Sequence, residues 1–94
     1  MIRMWGLMAP ERRTDMERIY IKALNEGREL VIIAAEKMFN SAIFWKADGE
    51  YRCFTREFGT MNRPDLDDKT MAGHLRDMVK ENAQIFIRGA AKEA

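Results

Sequence analysis

Side chains able to do chemistry are few in this sequence: one histidine, one cysteine and a run of carboxylates at Asp65-Leu66-Asp67-Asp68. A metal site needs three or four converging ligands, and His74 and Cys53 have no ligand spacing between them. The six glycines are scattered, with no GxGxxG or GxxxxGK loop to cradle a phosphate. The aspartates open a helical pattern, where capping and the helix dipole account for them without acid–base catalysis. Cys53 would need an activating neighbour to serve as a nucleophile, and in mid-strand it reads more simply as a small buried apolar residue. His74 lies three residues after Met71 and four before Met78, beside an apolar helical stripe, and reads as a half-buried structural histidine. The expectation is a protein that is not an enzyme and has neither cofactor nor metal.

A different chemistry is concentrated between residues 41 and 58. Trp45, Tyr51 and Phe54 are interleaved there with Arg52 and Arg56. Aromatic residues and arginine dominate the energetics of protein interfaces, so these five form the candidate partner-binding set. The expected partner is another protein, or a second copy as a homodimer. The same residues could stack unpaired bases while the cations hold phosphates, which makes a single-stranded nucleic acid or RNA-binding module the alternative. Asp48, Glu50 and Glu57 stand among them and cancel most of the local charge. A Trp45–Arg52 cation–π pair within the hairpin is a plain structural reading of two of these residues.

The element that must position this set is a β-hairpin. Asp48-Gly49 separates two apolar, aromatic and β-branched runs, and Asp-Gly suits the type I′ turn, which needs φ > 0 at both central residues. A two-residue turn sets the register: Ala47 opposes Glu50, Trp45 opposes Arg52 and Ile43 opposes Phe54 on one face, with Lys46 opposite Tyr51 and Phe44 opposite Cys53 on the other. Both faces are then apolar, as is Leu30-Val31-Ile32-Ile33-Ala34-Ala35. An antiparallel sheet with one wet face should alternate instead. Three things could cover the second face: the apolar segment Met1 to Met8, a second copy of the chain, or another macromolecule anchored on Trp45 and Phe54.

Helices flank the hairpin. Thr14-Asp15-Met16-Glu17 is a capping-box pattern, followed by a stripe of Met16, Ile19, Tyr20, Ala23 and Leu24 and by Gly27 at a C′ position, giving a helix over about 14–26. A second helix spans about 66–82 on Met71, Leu75, Met78 and Val79. Residues 28–39 fit strand or helix, with strand preferred for the β-branched centre. Residues 59–64 read as a connection rich in breakers, and Gln84-Ile85-Phe86-Ile87-Arg88 as a short last strand. The fold class is α+β: a two-layer sandwich with an antiparallel three- to four-stranded sheet and two helices, in the order α-β-β-β-α-β. Residues 1–94 form a single domain, with 1–9 an apolar N-terminal strap or edge strand and 89–94 a frayed tail.

The 94 residues carry 47% apolar and 33% charged side chains and a net charge of +1, which argues against disorder and against a dedicated duplex-DNA binder. The apolar stretch MIRMWGLM is too short for a signal peptide and far too short to span a membrane, and no membrane partner is expected. A single cysteine fits a reducing, cytoplasmic setting. The expectation is a small non-enzymatic binding protein, such as a regulatory or inhibitor-type protein, a class that includes phage-encoded examples.

Overall fold

The computed structural model describes residues 16–35 and 41–91. A helix, α1, occupies residues 16–25. It is followed by β1 (Glu29–Ile33), β2 (Ala42–Ala47), β3 (Glu50–Thr55), β4 (Gly59–Asn62), α2 (Asp68–Lys80) and β5 (Gln84–Arg88). The five strands form one sheet in the order β4-β3-β2-β1-β5, with every neighbouring pair antiparallel. The α+β class and the two-helix layer are as the sequence indicates, and residues 29–33 take the strand alternative.

Local chemistry explains where each element stops. Asp48 (φ 55°) and Gly49 (φ 77°) both take the left-handed conformation that a type I′ turn requires. The hairpin register follows, with Trp45 opposite Arg52, Ile43 opposite Phe54 and Lys46 opposite Tyr51. At the end of α1 the Gly27 N–H donates to the Leu24 carbonyl (3.0 Å) and the Arg28 N–H to that of Ala23 (2.9 Å), a Schellman motif closing on Gly27. α2 ends the same way, with Asn82 at φ 66° in the glycine position and N–H donations from Asn82 to Val79 and from Ala83 to Met78. Its other end is capped by Asp67, whose carboxylate accepts from the Thr70 N–H at 2.7 Å.

β4 replaces the expected breaker-rich connection. The turn at residues 56–58 reverses the chain, the Phe58 N–H donates to Thr55 Oγ1, and Gly59 (φ 71°) pairs with Thr55. The four residues then run back along β3 as an edge strand.

The core is built from one face of the sheet. Leu30, Ile32, Phe44, Tyr51 and Cys53 pack there with Leu24 of α1, Leu66, and Met71 and Leu75 of α2. Burying each of the Leu, Ile, Phe and Met side chains contributes about 1.5–3 kcal/mol of transfer free energy. The buried stripe of α1 is rotated from the expected one. Tyr20, Ile21, Ala23 and Leu24 face the sheet, while Met16 and Ile19 are exposed. The expected strap or strand at residues 1–9 and the Thr14 half of the capping box lie outside the described residues. Glu17, the other half, receives two hydrogen bonds from Arg76 at 3.2 Å, tying α1 to α2. At the far end, residues 89–91 are exposed beyond β5. Among the described residues no helix is long and apolar enough to cross a membrane.

Candidate protein-binding face

With both helices on one side, the other side of the sheet is left without a covering layer among the described residues. Cross-strand partners point to the same side of an antiparallel sheet. The register therefore sets Phe86, Val31, Ile43, Phe54 and Thr60 in one row that crosses all five strands. Phe86 is 49% exposed and Phe54 39%, with Ile33 beside them at 41%. A parallel row runs Trp45, Arg52, Asn62. An ion pair lies on this face: Arg88 donates to Glu29 at 2.7–2.8 Å, on the same side of β5 and β1.

Three of the five residues singled out from the sequence meet here. Trp45, Arg52 and Phe54 share the open face, and Arg56 lies exposed in the turn that follows β3. Tyr51 does not join them. It is only 2% exposed and points into the helix-covered core, because it alternates with Arg52 along β3. The hairpin's cation–π contact is on that inner side too, with Lys46 Nζ 4.9 Å from the Tyr51 ring centroid. On the outer side the Nε of Arg52 is buried without a hydrogen-bond partner, so its guanidinium is packed at its base. The partner-binding set drawn from the sequence left out Val31, Ile33 and Phe86, although Leu30 to Ala35 already reads as apolar on both faces. The available signal was Phe86 alternating with Ile85 and Ile87, but only the strand order β1-β5 brings it to the row.

Tyr51 instead anchors a polar cluster that joins four elements. Its hydroxyl donates to Asp68 Oδ1 at 2.7 Å, Lys46 Nζ donates to Asp68 Oδ1 (3.2 Å) and Asn25 Oδ1 (2.6 Å), and Asn25 Nδ2 donates to Asp68 Oδ2 at 3.0 Å. Burial, then the hydrogen bond and charge of Asp68, push the Tyr51 phenol far above its ordinary range. Burial pushes the Asp68 carboxyl up, but the hydrogen bonds from Tyr51, Asn25 and Lys46 outweigh it, and the group ends below the usual carboxylate range.

The remaining carboxylates of the acidic run each have a separate partner. Arg63 grips Asp65 through Nε and Nη2 at 3.0 and 2.9 Å and lowers its pKa, and the Thr70 N–H does the same for Asp67. Arg63 Nη1 also lies 3.9 Å from the sulfur of buried Cys53. Such an arrangement fixes the loop before α2 and leaves no carboxylate pair sharing a proton. His74 is exposed on α2, not half-buried as its position beside the stripe suggested. Among the described residues no three His, Cys, Asp or Glu side chains converge as metal ligands. A search of protein-family models, of curated proteins and of solved structures finds no match to this chain.

Proposed function

We propose that this chain is a small non-enzymatic binding protein whose working surface is the open face of the sheet, and that the surface it meets belongs to another protein. The supporting observation is the row Phe86–Val31–Ile43–Phe54, an apolar band crossing β5, β1, β2 and β3 where a solvated face would carry polar residues. Trp45 and Arg52 border the band, and aromatic anchors beside arginine are the usual make-up of an interface centre. Contiguous apolar patches of this kind on small proteins are most often functional. Regulation or inhibition by occupancy needs no more than such a face, and the single buried Cys53 suits a reducing, cytoplasmic setting.

A polyanion is served less well. Arg88 on this face is already bonded to Glu29, and Glu50 neighbours Arg52 on the same strand face, so little free positive charge faces outward.

The test compares wild type with Phe54→Lys and Trp45→Ala as immobilised baits in extract of the source cells. A protein retained by wild type and released by both variants, at unchanged circular dichroism and with weak salt dependence, is the expected result. Equal retention by the variants overturns the reading. So does capture of RNA or single-stranded DNA that is lost steeply with salt and with Arg52→Ala.

A further inference from the structure

We infer that β5 is a self-pairing edge, through which two copies of the chain join their sheets about a two-fold axis at Phe86. This does not rest on the open-face reading, since it concerns the strand's backbone edge and not the sheet's flat side.

Among the described residues, the sheet ends on β4 at one side and on β5 at the other. An edge strand presents unpaired N–H and C=O groups, and soluble proteins blunt such edges with short strands, charges, proline or bulges. β4 is blunted: four residues, Gly59-Thr60-Met61-Asn62, with a single large apolar side chain. β5 is not. Its centre is Ile85-Phe86-Ile87 with no charge, proline or glycine, it pairs with β1 along all five residues without a bulge, and Phe86 and Ile87 are 49% and 37% exposed.

The sequence of this edge is complementary to itself. Antiparallel pairing centred on Phe86 matches all five residues and sets Ile85 against Ile87 of the other copy on the helix side. Phe86 meets Phe86 on the open side. Arg88, already bonded to Glu29 of its own chain, falls opposite the neutral Gln84. Each apolar position of the strand thus finds an apolar partner in a second copy, and no like charges meet. The sheet becomes ten-stranded, and the apolar row continues through both copies. A strand pair of this length buries less than the roughly 1,200 Å² of a standard interface, so the dimer should be a weak one that depends on concentration.

The register makes the test specific. Across the axis, a residue at position 86 faces its own copy with Cβ atoms about 4.5–5.5 Å apart. Two residues at position 84 stand about 14 Å apart, four strand residues along the chain. Cys53 is buried and gives no background. The full-length chain is therefore made as Phe86→Cys and as Gln84→Cys and treated with a short bifunctional maleimide. The expected result is covalent dimer from the first variant and little from the second. Light scattering of unmodified wild type should show mass rising from monomer toward dimer with concentration, and Phe86→Lys, folded by circular dichroism, should stay monomeric. Equal cross-linking at both positions overturns the inference. So does a wild type that stays monomeric at the highest concentration light scattering tolerates, including one whose outward β5 amides resist hydrogen exchange, which would give the edge to another segment of the same chain. A dimer abolished by Phe54→Lys but not by Phe86→Lys also overturns it, since that pairs the flat faces.

Discussion

Tyr51 on β3 donates its phenolic hydrogen to Asp68 at the first turn of α2, 2.7 Å away, and this bond is the centre of the cluster that fastens the helical layer to the hairpin. The same carboxylate receives Lys46 from β2 and Asn25 from α1, so one acidic side chain gathers four elements. Deleting the phenol hydroxyl in Tyr51→Phe keeps the ring in the core and removes one charge-assisted hydrogen bond. The expected loss is about 1.5–3 kcal/mol in chemical denaturation at neutral pH. A smaller loss is expected for Lys46→Met, because the exposed side of Asp68 is screened by water.

The cluster also sets how stability depends on pH at the acid end. Asp68 ends with its folded pKa depressed, so its contribution is present above the unfolded carboxylate value of about 3.9 and is lost as pH falls below it through the depressed folded value. Asp65 and Asp67 are depressed as well and act with the same sign. Asp68→Asn should therefore lower the denaturation midpoint at pH 7 and flatten its decline between about pH 5 and pH 2. The decline should keep a residual slope from the other two. An unchanged acid limb in Asp68→Asn would remove the cluster from this account.

At the alkaline end the sign reverses. The Tyr51 phenol is raised in the folded state, so its stabilisation is complete below the unfolded value of about 10 and is lost as pH rises above it. Each such group steepens the loss by up to about 1.4 kcal/mol per pH unit. Tyr51→Phe should flatten the fall of stability above pH 10 relative to wild type, leaving the smaller contribution of Tyr20, which burial raises as well. Urea midpoints measured for both proteins at several pH values across this range check it.

Much of this arrangement was legible in the sequence, and the reasons differ by element. Asp48-Gly49 settles a two-residue turn, and the pairing of every hairpin residue follows by counting outward from it. Gly27 announces the end of α1 because a C′ residue must take φ > 0, whereas the run Asp65 to Asp68 announces a helix start without singling out Asp67 as the cap that meets the Thr70 N–H. β4 was hidden, since four residues with one inward methionine give no alternation to detect. Phe86 was hidden for another reason: its place in the apolar row depends on β5 docking beside β1, more than fifty residues earlier in the chain, and no local pattern encodes that. Residue type groups Tyr51 with Trp45, although the hairpin register already turns it to the opposite face.

The turn itself supplies a backbone prediction. Gly49 at φ 77° has open space where a Cβ would go, so Gly49→Ala meets no steric neighbour and pays only for the left-handed backbone. The expected cost is about 1–2 kcal/mol with the fold retained. At Asn82, φ 66° at the close of α2, replacement by glycine should stabilise and by alanine destabilise, each by up to about 1 kcal/mol. Thermal denaturation of the three variants tests the assignments, and a stabilising Gly49→Ala would exclude the type I′ turn.

The two faces of the hairpin should respond oppositely to substitution, and the pair Phe44 and Phe54 separates them. Both are β-strand phenylalanines of the same hairpin, but Phe44 lies in the core at 6% exposure while Phe54 stands on the open face. Phe44→Ala removes a ring from the contact set of Leu30, Ile32, Tyr51 and Cys53, and large-to-small changes of that kind cost about 3–5 kcal/mol. Phe54→Lys exchanges a partly wet ring for a flexible charged chain between Ile43 and Thr60, and losing cross-strand pairs of this sort costs about 0.2–1 kcal/mol each. If the open face is a working surface, Phe54→Lys should shift the denaturation midpoint far less than Phe44→Ala and still lose partner binding, whereas Phe44→Ala should lose both together. A Phe54→Lys chain as unstable as Phe44→Ala would mean that Phe54 is covered within its own chain, and the open face would then be a second core instead of a binding surface.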